Sequence, residues 1–113
     1  MLNLVNIVCD PTFARVDKLI NLLNRSKLLH ILLILNLKQE PMRFSDIKRI
    51  VDSSSTTVTR RLGELEENGL VLRKSYSTIP VSVYYELTKE ANNLAPTIQS
   101  MYDWVVEHDM ELI

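Results

Sequence analysis

Cysteine is almost missing from this 113-residue sequence, with Cys9 standing alone. No internal disulfide can form, and such usage fits a reducing compartment. Glycine is nearly as scarce, Gly63 and Gly69 being the two present, alongside four prolines. Tight turns are therefore few, and long helices are expected. Aromatic residues make up 6%. No charge of one sign dominates: 13 Lys+Arg against 14 Asp+Glu leave a formal −1. That balance alone does not point to nucleic acid. The longest apolar stretch without charge, 28–37, includes His30. It is too short to span a bilayer and reads as a core helix, with His30 as a core histidine. The N-terminus lacks a basic region ahead of its apolar residues, so it does not read as a signal peptide. A cytoplasmic setting without a membrane partner is expected. One cysteine and the distant His30 and His108 supply no metal-ligand spacing and no nucleophile–base pair. No glycine-rich phosphate loop is present either, so neither an enzyme nor a cofactor is expected.

What is present is a hydrophobic content of 46%, enough for one core and one domain over residues 13–109, preceded by an arm over 1–12. Charge is unevenly spread. Arg43, Lys48, Arg49, Arg60 and Arg61 face only Asp46 and Asp52 across the middle, whereas Glu86, Glu90, Asp103, Glu107, Asp109 and Glu111 crowd the end beside Lys89 alone. A near-neutral chain can thus still present one positive face.

Periodicity orders the elements. Val16, Leu19, Ile20 and Leu23, with Leu22 beside them, mark an amphipathic helix over 13–23. A second helix over 27–37 is apolar almost all round and must be enclosed. Pro41 ends that region, and Ser45 is the expected N-cap of a short helix through Val51 that buries Ile47, Ile50 and Val51, with Phe44 at its entry. After the turn Asp52-Ser53-Ser54, a fourth helix over 54–68 carries the core stripe Val58, Leu62 and Leu65 and ends at Gly69 in a left-handed cap. The period then becomes two, giving strands over 71–76 and 82–87. Thr88 caps a last helix over 89–108 with the stripe Ala91, Leu94, Ala95, Ile98, Met101, Tyr102 and Val105. Pro96 bends this helix or removes one hydrogen bond from it. Short helix, turn, second helix and hairpin in that order make a winged helix-turn-helix, a mainly α (α+β) fold with a two-stranded wing.

In such a fold the helix over 54–68 reads the duplex with its N-terminal half. At 100° per residue Arg60 points opposite the core stripe, with Thr56 and Gly63 nearby and Thr57 and Thr59 on the flanks. No acid occurs there before Glu64. Arginine pairs in bidentate fashion with guanine, and threonine serves phosphates or a thymine methyl. Arg73 and Lys74 place charge on the wing, and Arg43, Lys48 and Arg49 lie where they would hold the backbone on the other side. The alternative is a winged-helix protein–protein module without DNA binding.

Several runs carry a resemblance to a known family. They are Arg43-Phe44 followed by Ile47, the segment from Ser54 through Thr59, Arg61-Leu62, Glu64-Leu65-Glu66 and Gly69-Leu70-Val71, and then Tyr76, Pro80, Val83, Tyr85 and Leu87-Thr88. Together with Asp103-Trp104, these resemble HxlR-type regulators of the MarR-like superfamily over most of the chain. The resemblance implies a homodimeric transcriptional regulator on a pseudo-palindromic promoter site in double-stranded DNA, with 13–24 and 89–108 as dimerisation helices. Leu19, Leu22, Tyr102, Trp104 and Val105 would form the seam. It also implies Thr56, Thr57 and Arg60 facing bases, with Ser54, Thr59 and Arg61 serving the helix start and phosphates. Members often have a glycine-rich entry to the second helix where Asn24-Arg25-Ser26-Lys27 stands, and a basic residue where Ser82 stands. Some place an oxidant-sensing thiol at the position of Cys9, usually followed by proline; here Asp10 intervenes before Pro11.

Overall fold

The computed structural model describes residues 9–113. Its elements run α1 (Pro11–Leu23), α2 (Leu28–Lys38), β1 (Met42–Arg43), α3 (Phe44–Val51), α4 (Ser55–Glu67), β2 (Val71–Tyr76), β3 (Ser82–Leu87) and α5 (Lys89–Glu107). The strands form an antiparallel sheet in the order β1-β3-β2. Met42 pairs with Tyr85 and Arg43 with Tyr84, while Val71 lies opposite Leu87 and Tyr76 opposite Ser82. The sheet thus has three strands, one more than the hairpin pattern gives. At two residues, β1 is too short to show any alternation.

Most of the expected arm lies outside the described residues, and its last two positions belong to α1. The Asp10 side chain accepts a hydrogen bond from the Thr12 amide at 2.8 Å, and Pro11 opens the helix. Both devices favour an N-terminus, because proline there forfeits no helical donor.

Strand β1 also changes the start of α3. The chain passes straight from pairing with β3 into the helix, so Arg43 holds the cap position in an extended conformation without a side-chain cap bond. Ser45, expected to cap, lies one residue inside the helix and is exposed. Of the three apolar residues expected to be buried, Ile47 and Val51 are, four residues apart on one face, and Ile50 is half exposed. Phe44 packs against the core as expected.

The core gathers Leu28, Ile31, Leu32 and Leu35 of α2 with Ile47, Val51, Val58, Leu62, Leu65, Val71 and Ile98. Helix α2 is its axis, but it is not enclosed on every side. His30 is exposed, not a core residue, and Leu37 is 81% exposed. Leu22 belongs to this core at 6% exposure, which removes it from the expected dimer seam. A helix that is apolar all round offers no sequence signal for which face meets its neighbours.

Helix α5 is continuous through Pro96, and its stripe divides in two. Ala91, Ala95 and Ile98 are buried and Leu94 packs on the core, but Met101, Tyr102, Val105 and Val106 emerge into solvent. The Cα radius of gyration, 16.4 Å, exceeds the value of about 13 Å for a compact domain of this length.

Candidate nucleic-acid interface

Helix α4 is secured at both ends by backbone chemistry. The Ser54 hydroxyl accepts from the Thr57 amide at 3.2 Å and donates to the Thr57 hydroxyl at 3.0 Å. At the other end the Leu70 amide donates to the Leu65 carbonyl at 2.9 Å and the Gly69 amide to the Glu66 carbonyl at 3.1 Å. Gly69 has φ +73°, and this pair of bonds is the Schellman arrangement that only a left-handed residue closes easily.

Between these ends, Val58, Leu62 and Leu65 turn into the core. Ser55, Thr56, Thr59 and Arg60 line a shallow, open depression on the outer side. Gly63 continues that face, and a Cβ built on it meets nothing within 4 Å. Thr57 is half buried and spends its hydroxyl on Ser54, so it contributes to the helix start rather than to the outer surface.

Arg61 is turned inward. Its Nε donates to the Ser26 carbonyl at 2.8 Å, one of its terminal nitrogens bonds Glu64, and its side chain is only 14% exposed. It is therefore spent inside the fold and is not placed to meet phosphate. The second Glu64 oxygen bonds Arg25. The first acid of the helix is thus held between two guanidinium groups, and the outer face meets no free carboxylate before Glu66.

Around α4 the expected backbone-holding cations differ in freedom. Lys48 is half buried on α3, and its neighbour Arg49 pairs with Asp46 at 3.3 Å. Arg73 is exposed on β2. Lys74 pairs across the hairpin with Glu86, and this carboxylate raises the Lys74 ammonium above its ordinary value. Arg43 donates from Nε to the Tyr84 hydroxyl at 2.9 Å and lies 5.4 Å from the centre of its ring. That hydrogen bond raises its pKa too, so both groups stay cationic at any physiological pH.

The aromatic side of the wing was not legible as a site in the sequence. Tyr76 meets Tyr84 edge to face, ring centres 5.4 Å apart. With Pro41, Arg43, Ile79 and Pro80 these rings border an open groove of about 610 Å³ between β1 and the wing tip. Alternation along β3 identifies Tyr84 as outward-facing, but nothing local announces its pairing with Arg43, 41 positions earlier.

On the far side of the molecule, α1 exposes Val16 and Ile20 while Leu19 is half buried. Helix α5 exposes Met101 at 64%, Tyr102 at 66% and Trp104 at 48%, with Val105 and Val106 alongside. Val16, Ile20 and Met101 were absent from the expected seam, because their place in an amphipathic stripe reads equally as core, and Val106 lies outside the stripe altogether. Cys9 is exposed, and the adjacent Asp10 carboxylate is engaged with its own helix. Among the described residues no group of His, Cys, Asp and Glu could hold a metal ion, and no helix is long and apolar enough to cross a membrane.

This geometry has relatives. An HTH-type transcriptional regulator of Halalkalibacterium halodurans is 34% identical over 79 residues, covering 69% of this chain and 70% of that protein. The reduced form of the transcriptional regulator YodB from Bacillus subtilis superposes with a TM-score of 0.73 at 29% identity, covering 85% of this chain and 90% of that one. A MarR-family regulator from Enterococcus faecalis superposes with a TM-score of 0.78 at 27% identity, covering 88% and 89%. All three relatives are transcriptional regulators, and the two solved structures share the winged-helix layout described above. The profile of HxlR-like helix-turn-helix proteins matches residues 26–112, and the chain belongs to that family.

Proposed function

We propose that the protein is a homodimeric transcriptional regulator that binds double-stranded DNA at a pseudo-palindromic site. The N-terminal half of α4 enters the major groove, and the wing of β2 and β3 lies on the backbone or minor groove. The observation that carries this reading is the outer face of α4. Hydroxyls and one guanidinium stand exposed at Ser55, Thr56, Thr59 and Arg60, and the nearest acid, Glu64, is neutralised inside. Reading helices contact bases with their first turns, where an unpaired carboxylate would repel the duplex.

Within this reading Arg60 and Thr56 face base edges, and Thr59 lies between them and the backbone. Ser54 and Thr57 build the helix start. Arg43, Lys48, Arg73 and Lys74 hold phosphates, which orients the protein without specifying sequence. Dimerisation joins α1 and the C-terminal half of α5 of two copies, burying Ile20, Met101, Tyr102, Trp104 and Val105. The support is the amount of apolar surface that these helices leave uncovered.

Selection from a pool of random duplexes tests the reading. Enrichment of a two-fold symmetric motif with half-sites about 34 Å apart is expected. Affinity for it should fall steeply with salt, with a log–log slope near −0.9 per phosphate neutralised. No enrichment and no salt-dependent binding would leave a protein–protein module as the function.

A further inference from the structure

Glu64 occupies a position that the reading face does not explain. It sits on α4, yet its two oxygens go to different guanidinium groups: Oε1 to Arg61 of its own helix and Oε2 to Arg25. Arg61 in turn donates to the carbonyl of Ser26 at 2.8 Å. Arg25 and Ser26 lie in the turn between α1 and α2, so a side-chain pair 39 positions apart and a side-chain-to-carbonyl bond spanning 35 tie the back of α4 to the end of α1. The turn is itself closely defined. The Arg25 amide donates to Leu22 and the Leu28 amide to Arg25, each at 3.1 Å, and Lys27 adopts φ 68°. A non-glycine residue holds that left-handed conformation only where its surroundings determine it.

The apolar contacts of α4 hold it against the core, but they are not directional and would allow some sliding or rotation. Charge-assisted hydrogen bonds are directional. The Arg61 and Glu64 side chains are largely sheltered, at 14% and 15% exposure, whereas Arg25 closes the cluster from the solvent side at 48%.

We propose that Arg25, Glu64, Arg61 and the Ser26 carbonyl form a clamp that sets the angle of α4 against α1, and thereby the half-site spacing that a dimer accepts. This rests on the dimeric DNA-binding reading. Arg25, Glu64 and Arg61 act as positioning residues and touch no base.

The test uses Arg25→Ala, which removes a half-exposed side chain, together with Glu64→Gln and the conservative Arg25→Lys. Binding is measured to the duplex selected by the parent protein, to the same duplex with its half-sites moved apart by one or two base pairs, and to an isolated half-site. Arg25→Ala is expected to remain dimeric and keep half-site affinity, while its preference for native over shifted spacing falls about tenfold, within the usual range of coupling between sites. Arg25→Lys should restore part of that preference. Unchanged spacing preference in both Arg25→Ala and Glu64→Gln would overturn the clamp. So would an equal loss on every duplex with a shallower salt slope, which would assign Arg25 to phosphate. A second arm needs no DNA. Backbone amides of residues 55–61 should exchange faster in Glu64→Gln, and exchange equal to the parent's would overturn the clamp even if the parent selected no duplex. That last failure would count against the DNA-binding reading alone.

Discussion

Arg60 and Arg61 are neighbours in sequence and opposites in position, so the same substitution should have different consequences at each. Arg60→Ala is expected to leave thermal stability unchanged and to cost about 1–3 kcal/mol at one base position, seen as relaxed preference there in competition binding. Arg61→Ala should destabilise the fold by about 1–3 kcal/mol in denaturant titration, because the Ser26 carbonyl loses its donor and Glu64 one of its two partners. Gly63 offers a prediction of opposite sign. A methyl group there meets open space, so Gly63→Ala should stabilise α4 by about 0.5–1 kcal/mol, measured on the free protein. The helical period places Arg60 outward and Leu62 inward. It is silent on Arg61, whose inward turn is fixed by the Ser26 carbonyl 35 positions earlier.

Elements with a strong pattern were legible, and those defined by their neighbours were not. The stripe Val58, Leu62, Leu65 and the cap residues Ser54 and Gly69 delimit α4 in the sequence, and the structure places them in those roles. Ser54→Ala should accordingly cost about 1 kcal/mol in thermal or chemical unfolding through loss of the bond to the Thr57 amide. Strand β1 was not legible, since Met42 and Arg43 become a strand only by pairing with Tyr85 and Tyr84. The displaced cap of α3 follows from the same pairing. On the wing, Arg73 is the cation to remove. Arg73→Ala should weaken binding to all duplexes about equally and reduce the magnitude of the salt slope by about 1 if it meets one phosphate.

At the scale of the whole molecule, α5 does two jobs along one axis. Its first half, through Ile98, packs into the core, and its second half carries Met101, Tyr102, Trp104 and Val105 outward. Trp104→Glu is expected to leave a folded monomer in sedimentation equilibrium and to abolish tight binding to a two-half-site duplex, since the bare half lies beyond the core. The sequence shows a single unbroken stripe from Ala91 to Val105, and nothing in that stripe marks the exit of α5 from the core after Ile98. One further consequence attaches to this root-and-tip construction. Dilution of the protein should loosen the tip first while the root stays ordered, so protection of the amides beyond residue 101 would rise and fall with protein concentration. The amount of regulator made would then decide, before any operator is met, how much of it has the shape required to act.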